Sequence, residues 1–378
     1  MFRVLAIFLI VFAVQRLAYP LEVVEAERDG QRLSLTGELL VEAEDGGILL
    51  RSRDLTLWTL QPDELISRHA TDSPFTPLDR IGLREQLSEA LPRGFEFYDT
   101  PHFLIGFNTT TSYARWCGTL YERLYRSFEN YWKRRDMELT DAPAPLVALV
   151  FRDKPSYQAY AAAELGEHTA IVGYYSLRTN RIATFDLTGV DNARPLGDRP
   201  GNTALVNAIL SQPNATSTVA TVIHEATHQL AYNRGLQVRY ADNPLWLSEG
   251  LAMFFETPDI RNPKGWKRIG TINDNRLVQF KQYLGSRRAD SLRTLIEDDA
   301  RMREMATAME AYAESWALCY FLIRKHPKEF DNYLRELSGM VPLLYDTPED
   351  RLQTFRQFFG KDLKRLDDEF IRYMSRQR

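Results

Sequence analysis

The chain reads as an α+β protein: a small N-terminal β meander or barrel, then a larger body that opens with a mixed sheet and ends mainly in helices. Three observations predict this. Residues 20 to about 62 alternate apolar and polar in short runs broken by turn residues. Five apolar segments between Phe95 and Leu187 are interrupted by one long helical stripe, and beyond residue 205 apolar residues recur only at helical spacing. At 378 residues, 44% apolar and 12% aromatic, the chain can bury a sizeable core. Its 47 Lys and Arg against 51 Asp and Glu leave a net charge of −4, which supplies no basic field for nucleic acid, and that class of partner is set aside.

In chain order, Met1-Phe2-Arg3 and the apolar run Val4 to Val14 have the layout of a secretory signal. The run is too short to cross a hydrocarbon core of ~30 Å comfortably. Residues 1–18 are therefore expected to be a signal peptide or, since no cleavage site is well formed, an N-terminal anchor. The protein would be exported, periplasmic or extracellular, and would touch a membrane only through such an anchor. The β module, residues 20–70, draws its strands from Leu21 to Glu25, Arg32 to Leu35, Leu39 to Glu42, Ile48 to Arg51 and Leu55 to Leu60. Asp45-Gly46-Gly47 offers the positive-φ residues of a tight hairpin, and Arg53-Asp54 the next turn. With no clustered aromatic or basic stripe, the module has no marked ligand site.

Residues 71–93 read as a linker, Thr71 to Pro77, followed by a helix, Leu78 to Leu91, and residues 94–378 form the main domain. Its strands are expected at Phe95 to Tyr98, His102 to Asn108, Pro145 to Phe151, Ala170 to Tyr175 and Arg181 to Leu187. A helix from Thr111 to Lys133 places Tyr113, Cys117, Leu120, Leu124, Phe128 and Tyr131 on one core-facing stripe. The basic segment Asp362 to Arg378 is expected to pack on the body through Leu363, Leu366, Phe370 and Tyr373. Cys117 and Cys319 both sit in apolar helical patterns, so burial is preferred to a bridge between them. The sequons at Asn108 and Asn214 are read as helix-capping sequences, and His69, His102, His168 and His326 as surface or structural residues. Nothing in the sequence selects an oligomeric state.

The chemistry concentrates in His224-Glu225-Ala226-Thr227-His228. On a helix, residues i and i+4 share a face, so His224 and His228 can reach one metal ion. The helical context is present: Asn214, Thr216 or Ser217 as N-cap, an apolar stripe of Val219, Val222, Ile223, Ala226 and Leu230, and Gly235 as the stop. Catalytic zinc takes three protein ligands. Glu249, 21 residues past His228, stands in Trp246-Leu247-Ser248-Glu249-Gly250 on a second expected helix, with Asn243 as N-cap and Pro244 in its first turn. A carboxylate among Leu245, Trp246, Leu247 and Leu251 is one that pairing or a metal should hold.

The H-E-x-x-H and W-L-x-E-G pair resembles the gluzincin superfamily of zinc metallopeptidases, which includes thermolysin and, closer in the second motif, the aminopeptidase N-like enzymes. By that resemblance His224, His228 and Glu249 are the ligands of one Zn2+ per chain and Glu225 is the general base. Tyr312, 63 residues past Glu249 in a segment similar to an aminopeptidase N-like helical motif, would donate to the developing oxyanion, although Tyr312, Trp316, Cys319 and Tyr320 also make an ordinary core stripe. More widely, the chain from Phe95 onward looks like an exported bacterial family of unassigned function. Two departures stand out. No G-x-M-E-N segment precedes the metal motif, so exopeptidase action is not carried over. Met253 stands where thermolysin has an aspartate that orients a zinc histidine, leaving Glu256 as either a substitute or a surface carboxylate. The edge strand that pairs with substrate in gluzincins is matched to Arg181 to Leu187, which reads equally as an internal strand.

Two classes of function follow. One is a zinc-dependent peptidase acting on peptide or protein outside the cytoplasm. The other is a non-catalytic exported protein on the same fold that binds a partner through its β module or cleft. Glu225 favours the first, because a binding protein has little need of a base at an open metal position.

Overall fold

Strand β1 (Pro20–Arg28) buries every second residue, Glu22, Val24 and Ala26, as the two-residue period of a strand with one covered face requires. A turn through Asp29 and Gly30, both at positive φ, leads into β2 (Gln31–Glu42). With β3 (Ile48–Ser52), β4 (Leu57–Leu60) and β5 (Leu65–Pro74) they make an antiparallel sheet of order β4-β3-β2-β1-β5 around Val24, Ala26, Leu35, Ile48, Leu50 and Leu60. The computed structural model describes residues 20–166, 171–188, 216–257 and 269–378. It divides into two compact units, the first ending at Pro77 and the second beginning at Leu78.

The first unit departs from the sequence reading in three ways. The runs at Arg32 and Leu39 belong to one strand, interrupted by a register shift between Leu39 and Val41. Strand β5 occupies Leu65–Pro74, partly in the expected linker; six of its ten residues are polar and eight are exposed, and it carries no apolar alternation to betray it. With β4 and β5 at its ends, the sheet has the order of an open sheet rather than a barrel. Both expected turns form: Gly46 takes a positive φ of 92°, and Arg53-Asp54 are the central residues of the next turn, closed by Leu55 N donating to Ser52 O at 2.8 Å.

The second unit is built on a mixed sheet of order β6-β7-β8-β10-β9: β6 (Glu96–Asp99), β7 (Phe103–Phe107), β8 (Leu146–Phe151), β9 (Gly173–Tyr175) and β10 (Arg181–Phe185). Strands β7, β8 and β10 are parallel, with β6 and β9 antiparallel at the edges. Every residue of β8 is buried, because helices cover both faces of a parallel core and demand a continuous apolar run. Helices α1 (Arg80–Ala90) and α3 (Lys154–Leu165) pack Leu83, Leu87, Tyr157 and Ala161 against Leu104, Val147, Leu149 and Ala183. On the other face, α2 (Thr111–Lys133) sets Tyr113, Cys117, Tyr121 and Phe128 against Phe103, Ile105, Ala148 and Ile182. Helix α3 had no stripe to announce it; Asp153 caps it, its side chain accepting from Ser156 N at 2.8 Å. Of the Asn108 sequon, Thr110 caps α2, while Asn108 Oδ1 instead accepts from Arg152 N at 2.7 Å.

The helical part comprises, among the described residues, α4 (Thr216–Asn233), α5 (Leu245–Phe255), α6 (Asp274–Tyr283), α7 (Ser291–Glu297), α8 (Ala300–Arg303), α9 (Ala308–Lys325), α10 (Pro327–Leu337), α11 (Pro348–Phe359) and α12 (Leu363–Ser375). Helix α9 is its axis: Ala313 to Ile323 are all buried, the mark of a helix surrounded on all sides. Helix α12 packs on the body through Leu366 and Phe370, with Leu363 and Tyr373 partly covered, as its amphipathic pattern predicts. Cys117 and Cys319 are free and buried. Among the described residues no helix is long and apolar enough to cross a membrane. The expected signal or anchor, His168 and Asn214 lie outside the described residues.

Candidate metal centre

Helix α4 lays Val219, Val222, Ile223, Ala226 and Leu230 into the core, each at most 2% exposed. That burial turns the opposite side, with His224, Glu225 and His228, toward α5 and β9. Gly235, at φ 79°, ends the segment as expected. Helix α5 starts differently from its reading. Pro244 is its N-cap residue, without a side-chain cap, and Asn243 instead donates to Val238 O and Ala241 O at 2.7 and 3.0 Å. The first free amide, Leu245 N, donates to Asp299 Oδ1 at 3.1 Å. Asp299 accepts in turn from Arg351 Nη1 at 2.9 Å, and Arg351 also pairs with buried Asp242. A distant carboxylate thus caps the helix that presents Glu249.

Helices α5 and α9 approach closely at Gly250. A Cβ at Gly250 would lie 2.3 Å from Cys319 Sγ and 2.7 Å from Ser315 O. The glycine beside Glu249 is therefore what lets α9 lie flush against α5, and it explains the last letter of W-L-x-E-G.

The three expected ligands converge. His224 Nε2 lies 3.1 Å from His228 Nε2 and 3.1 Å from Glu249 Oε2, and His228 Nε2 is 3.5 Å from Glu249 Oε1. Ligand atoms bonded to one tetrahedral zinc at ~2.0–2.1 Å stand about 3.4 Å apart, so the spacing and the two-imidazole, one-carboxylate donor set both fit such an ion. The group His224, His228 and Glu249 could hold a metal ion.

Behind His224, Glu256 accepts from Nδ1 at 2.6 Å, and Asn273 Nδ2 donates to the other Glu256 oxygen at 3.1 Å. A carboxylate at Nδ1 keeps the proton there and leaves Nε2 its lone pair for a metal. Of the two readings of Glu256, the buried, orienting one is correct: seven residues past Glu249, it holds His224. Asn273 has a second task, since its Oδ1 caps α6 by accepting from Arg276 N at 3.3 Å. No motif pointed to Asn273, which is 24 residues from Glu249 with part of the intervening chain outside the described residues.

Burial acts on each of these groups, and their neighbours answer it. It would lower the His224 pKa, but Glu249 and Glu256 overcome it and hold the imidazole well above its usual value. It would raise Glu249, but His228 and His224 pull that carboxyl far below the ordinary range. Glu256 is likewise held low despite burial, by His224 and then by Arg276 and Asn273. Glu225 goes the other way: desolvation is the largest cause and Glu249 adds to it, so its pKa is raised in spite of both imidazoles. One Glu225 oxygen accepts from Tyr175 N of β9 at 2.8 Å, and Tyr175 stacks on Tyr232, two turns along α4 from His224, with centroids 5.6 Å apart. No side-chain motif could have announced that main-chain donor.

Tyr312 is half-buried on α9. Burial raises its pKa, and the charges of Glu249 and Glu225 raise it further, so the ring stands within electrostatic reach of both carboxylates while packing against the core. The strand matched to substrate pairing is corrected: β10 lies inside the sheet between β8 and β9, and the edge beside the metal helix belongs to β9. Of the other described histidines, His102 pairs with Glu122 at 2.8 Å and stacks on Tyr125, His326 is 3.6 Å from Glu369, and His69 sits on exposed β5.

Residues 218–344, about a third of the chain, match the family model described as "Protein of unknown function (DUF1570)". No curated protein matches the chain. The matched segment takes in His224, Glu225, His228, Glu249, Glu256, Asn273 and Tyr312 but not Tyr175, so the chain's similarity to that family covers the three candidate ligands.

Proposed function

We propose that the protein is an exported zinc-dependent peptidase of gluzincin type, hydrolysing peptide bonds with Glu225 as general base. The observation that carries this reading is the convergence of His224, His228 and Glu249 at zinc-ligand spacing, with Glu225 one residue along the same helix. When bound, zinc supplies Lewis acidity, making a water acidic enough to lose a proton near neutral pH and polarising a carbonyl oxygen. Glu225 accepts the water proton and passes it to the leaving nitrogen as the C–N bond breaks. The Tyr175 N–H holds one oxygen of Glu225 in place and leaves the other for that transfer. Tyr312 donates to the carbonyl oxygen as charge develops on it, a role worth about 10²–10³ in rate where one such donor has been removed elsewhere. Glu256 and Asn273 keep His224 in the tautomer the ion requires.

The test is metal analysis and peptide-library cleavage by wild type, Glu225→Gln and Glu249→Ala. Glu225→Gln should retain about one zinc per chain and lose cleavage; Glu249→Ala should lose zinc. Equal cleavage by wild type and Glu225→Gln refutes the mechanism, and zinc retention without cleavage by wild type favours the binding-protein alternative.

A further inference from the structure

Glu225 is the first of three polar residues that α4 turns toward the hairpin of β9 and β10. Glu225, Gln229 and Asn233 follow one another at four-residue spacing, on one face of the helix, and each bonds to that hairpin. Gln229 and Asn233 are buried, although their residue types are mostly exposed. Neither is a candidate metal ligand.

Asn180 is their common partner. It closes the turn between β9 and β10 at φ 61°, a left-handed conformation that asparagine adopts more readily than most residues, and its N–H donates to Ser176 O at 2.9 Å. Its carbonyl accepts from Gln229 Nε2 at 2.9 Å. Its side chain meets Asn233 in a reciprocal amide pair, Asn180 Nδ2 donating to Asn233 Oδ1 at 2.8 Å and Asn233 Nδ2 to Asn180 Oδ1 at 2.7 Å. The same Asn180 oxygen accepts from the Tyr175 hydroxyl at 2.7 Å. Tyr175 is thus held at three points: its hydroxyl on Asn180, its ring against Tyr232, and its main-chain N–H on Glu225.

Strand β9 is three residues long and stands at the edge of its sheet, so its own ladder gives little hold on Tyr175 N. The buried amide pair supplies that hold. We infer that Asn180 and Asn233 are positioning residues for the hydrolysis: by clamping Tyr175 they fix the N–H that holds the Glu225 carboxylate. Their role rests on the peptidase reading above and extends the same site to the residues that support its base.

The experiment uses the zinc-loaded full chain as wild type, Asn180→Gly, Asn233→Ala and Tyr175→Phe. Glycine accepts the positive φ at 180 and keeps the carbonyl that Gln229 uses, so that variant removes only the side-chain pair. Zinc content reports that each variant is folded. Hydrogen exchange at the Tyr175 amide should quicken about 2- to 10-fold, the effect of one hydrogen bond, while the amides of β8 keep their wild-type protection. On a cleaved peptide, kcat should fall about 10- to 100-fold with KM within about twofold of wild type, and Asn180→Gly with Tyr175→Phe should be non-additive because both cut one chain of contacts. Unchanged Tyr175 exchange in all three variants, or faster exchange with wild-type kcat, overturns the clamp and leaves the peptidase reading standing. Zinc content and β8 protection falling together with kcat mark a purely structural role and overturn it as well. Faster Tyr175 exchange in the variants of a protein whose wild type cleaves nothing supports the clamp on Glu225 and retires the peptidase reading.

Discussion

Replacing Gly250 by alanine probes the contact on which the metal centre's geometry depends. The added Cβ would sit 2.3 Å from Cys319 Sγ, 2.7 Å from Ser315 O and 3.0 Å from Cys319 Cβ, where carbon contacts ordinarily begin at about 3.5 Å. Ser315 and Cys319 are fully buried in the middle of α9, so neither has room to retreat, and the helices must separate by roughly 1 Å. Overpacking of this kind costs about 1–3 kcal/mol, and the depth of the overlap argues for the upper part of that range. The same displacement moves Glu249, the adjacent residue, by more than the ~0.2 Å tolerance of a metal–ligand distance, and a 1 Å misplacement near reacting groups costs up to about 10²-fold in rate. Urea denaturation should show the loss of stability, and competition with a chromophoric chelator the loss of zinc affinity. Cys319→Ala in the Gly250→Ala background removes the shortest contact but leaves Ser315 O, so it should restore part of both, with a coupling of about 0.5–3 kcal/mol. Wild-type stability and zinc affinity in Gly250→Ala, or strict additivity with Cys319→Ala, would refute the reasoning.

Glu256→Ala should weaken zinc binding about 10- to 100-fold by releasing His224 Nδ1, and Asn273→Ala should act in the same direction with an added loss of the α6 cap; both are read by chelator competition. Arg351→Ala leaves buried Asp242 without its cation and Asp299, the cap of α5, with the more exposed Arg303 alone, so urea denaturation should report a loss of about 3–5 kcal/mol. In the β module, the hydrogen bond from Arg28 and then the Gln61 amide draw Glu64 from an ordinary 4.5 to about 2. Because the folded value is the lower one, the stabilisation is complete above pH 4.5 and fades as the pH falls toward 2. Hydrogen-exchange protection of β1 and β2 amides should follow that window, and Glu64→Gln should flatten it.

Legibility in the sequence tracked the range of the interaction responsible. The spacing of His224 and His228, the buried stripe of α4, the stripe of α2 and the amphipathic α12 are properties of one helix, set by 3.6 residues per turn, and each was visible before any packing was known. The apolar run of β8 was equally plain. Strand β5 was not, because an exposed edge strand with its apolar residues out of alternation lacks the periodicity that reveals its neighbours. The place of β10 inside the sheet was undecided for a related reason: strand order depends on which partners lie on either side, and an apolar run suits both places.

The sequence by itself therefore determined which side chains were the candidates for the metal centre, two imidazoles and Glu225 on one helix, where a single helical turn dictates their spacing, and Glu249 on the next. Tertiary structure alone decided how they are held. Glu256 with Asn273 behind His224, the Tyr175 amide on Glu225, Asp299 capping α5 and Cys319 seated against Gly250 join residues from 17 to 69 positions apart. Such pairs are chosen by the packing of whole elements around one core, which no local pattern encodes.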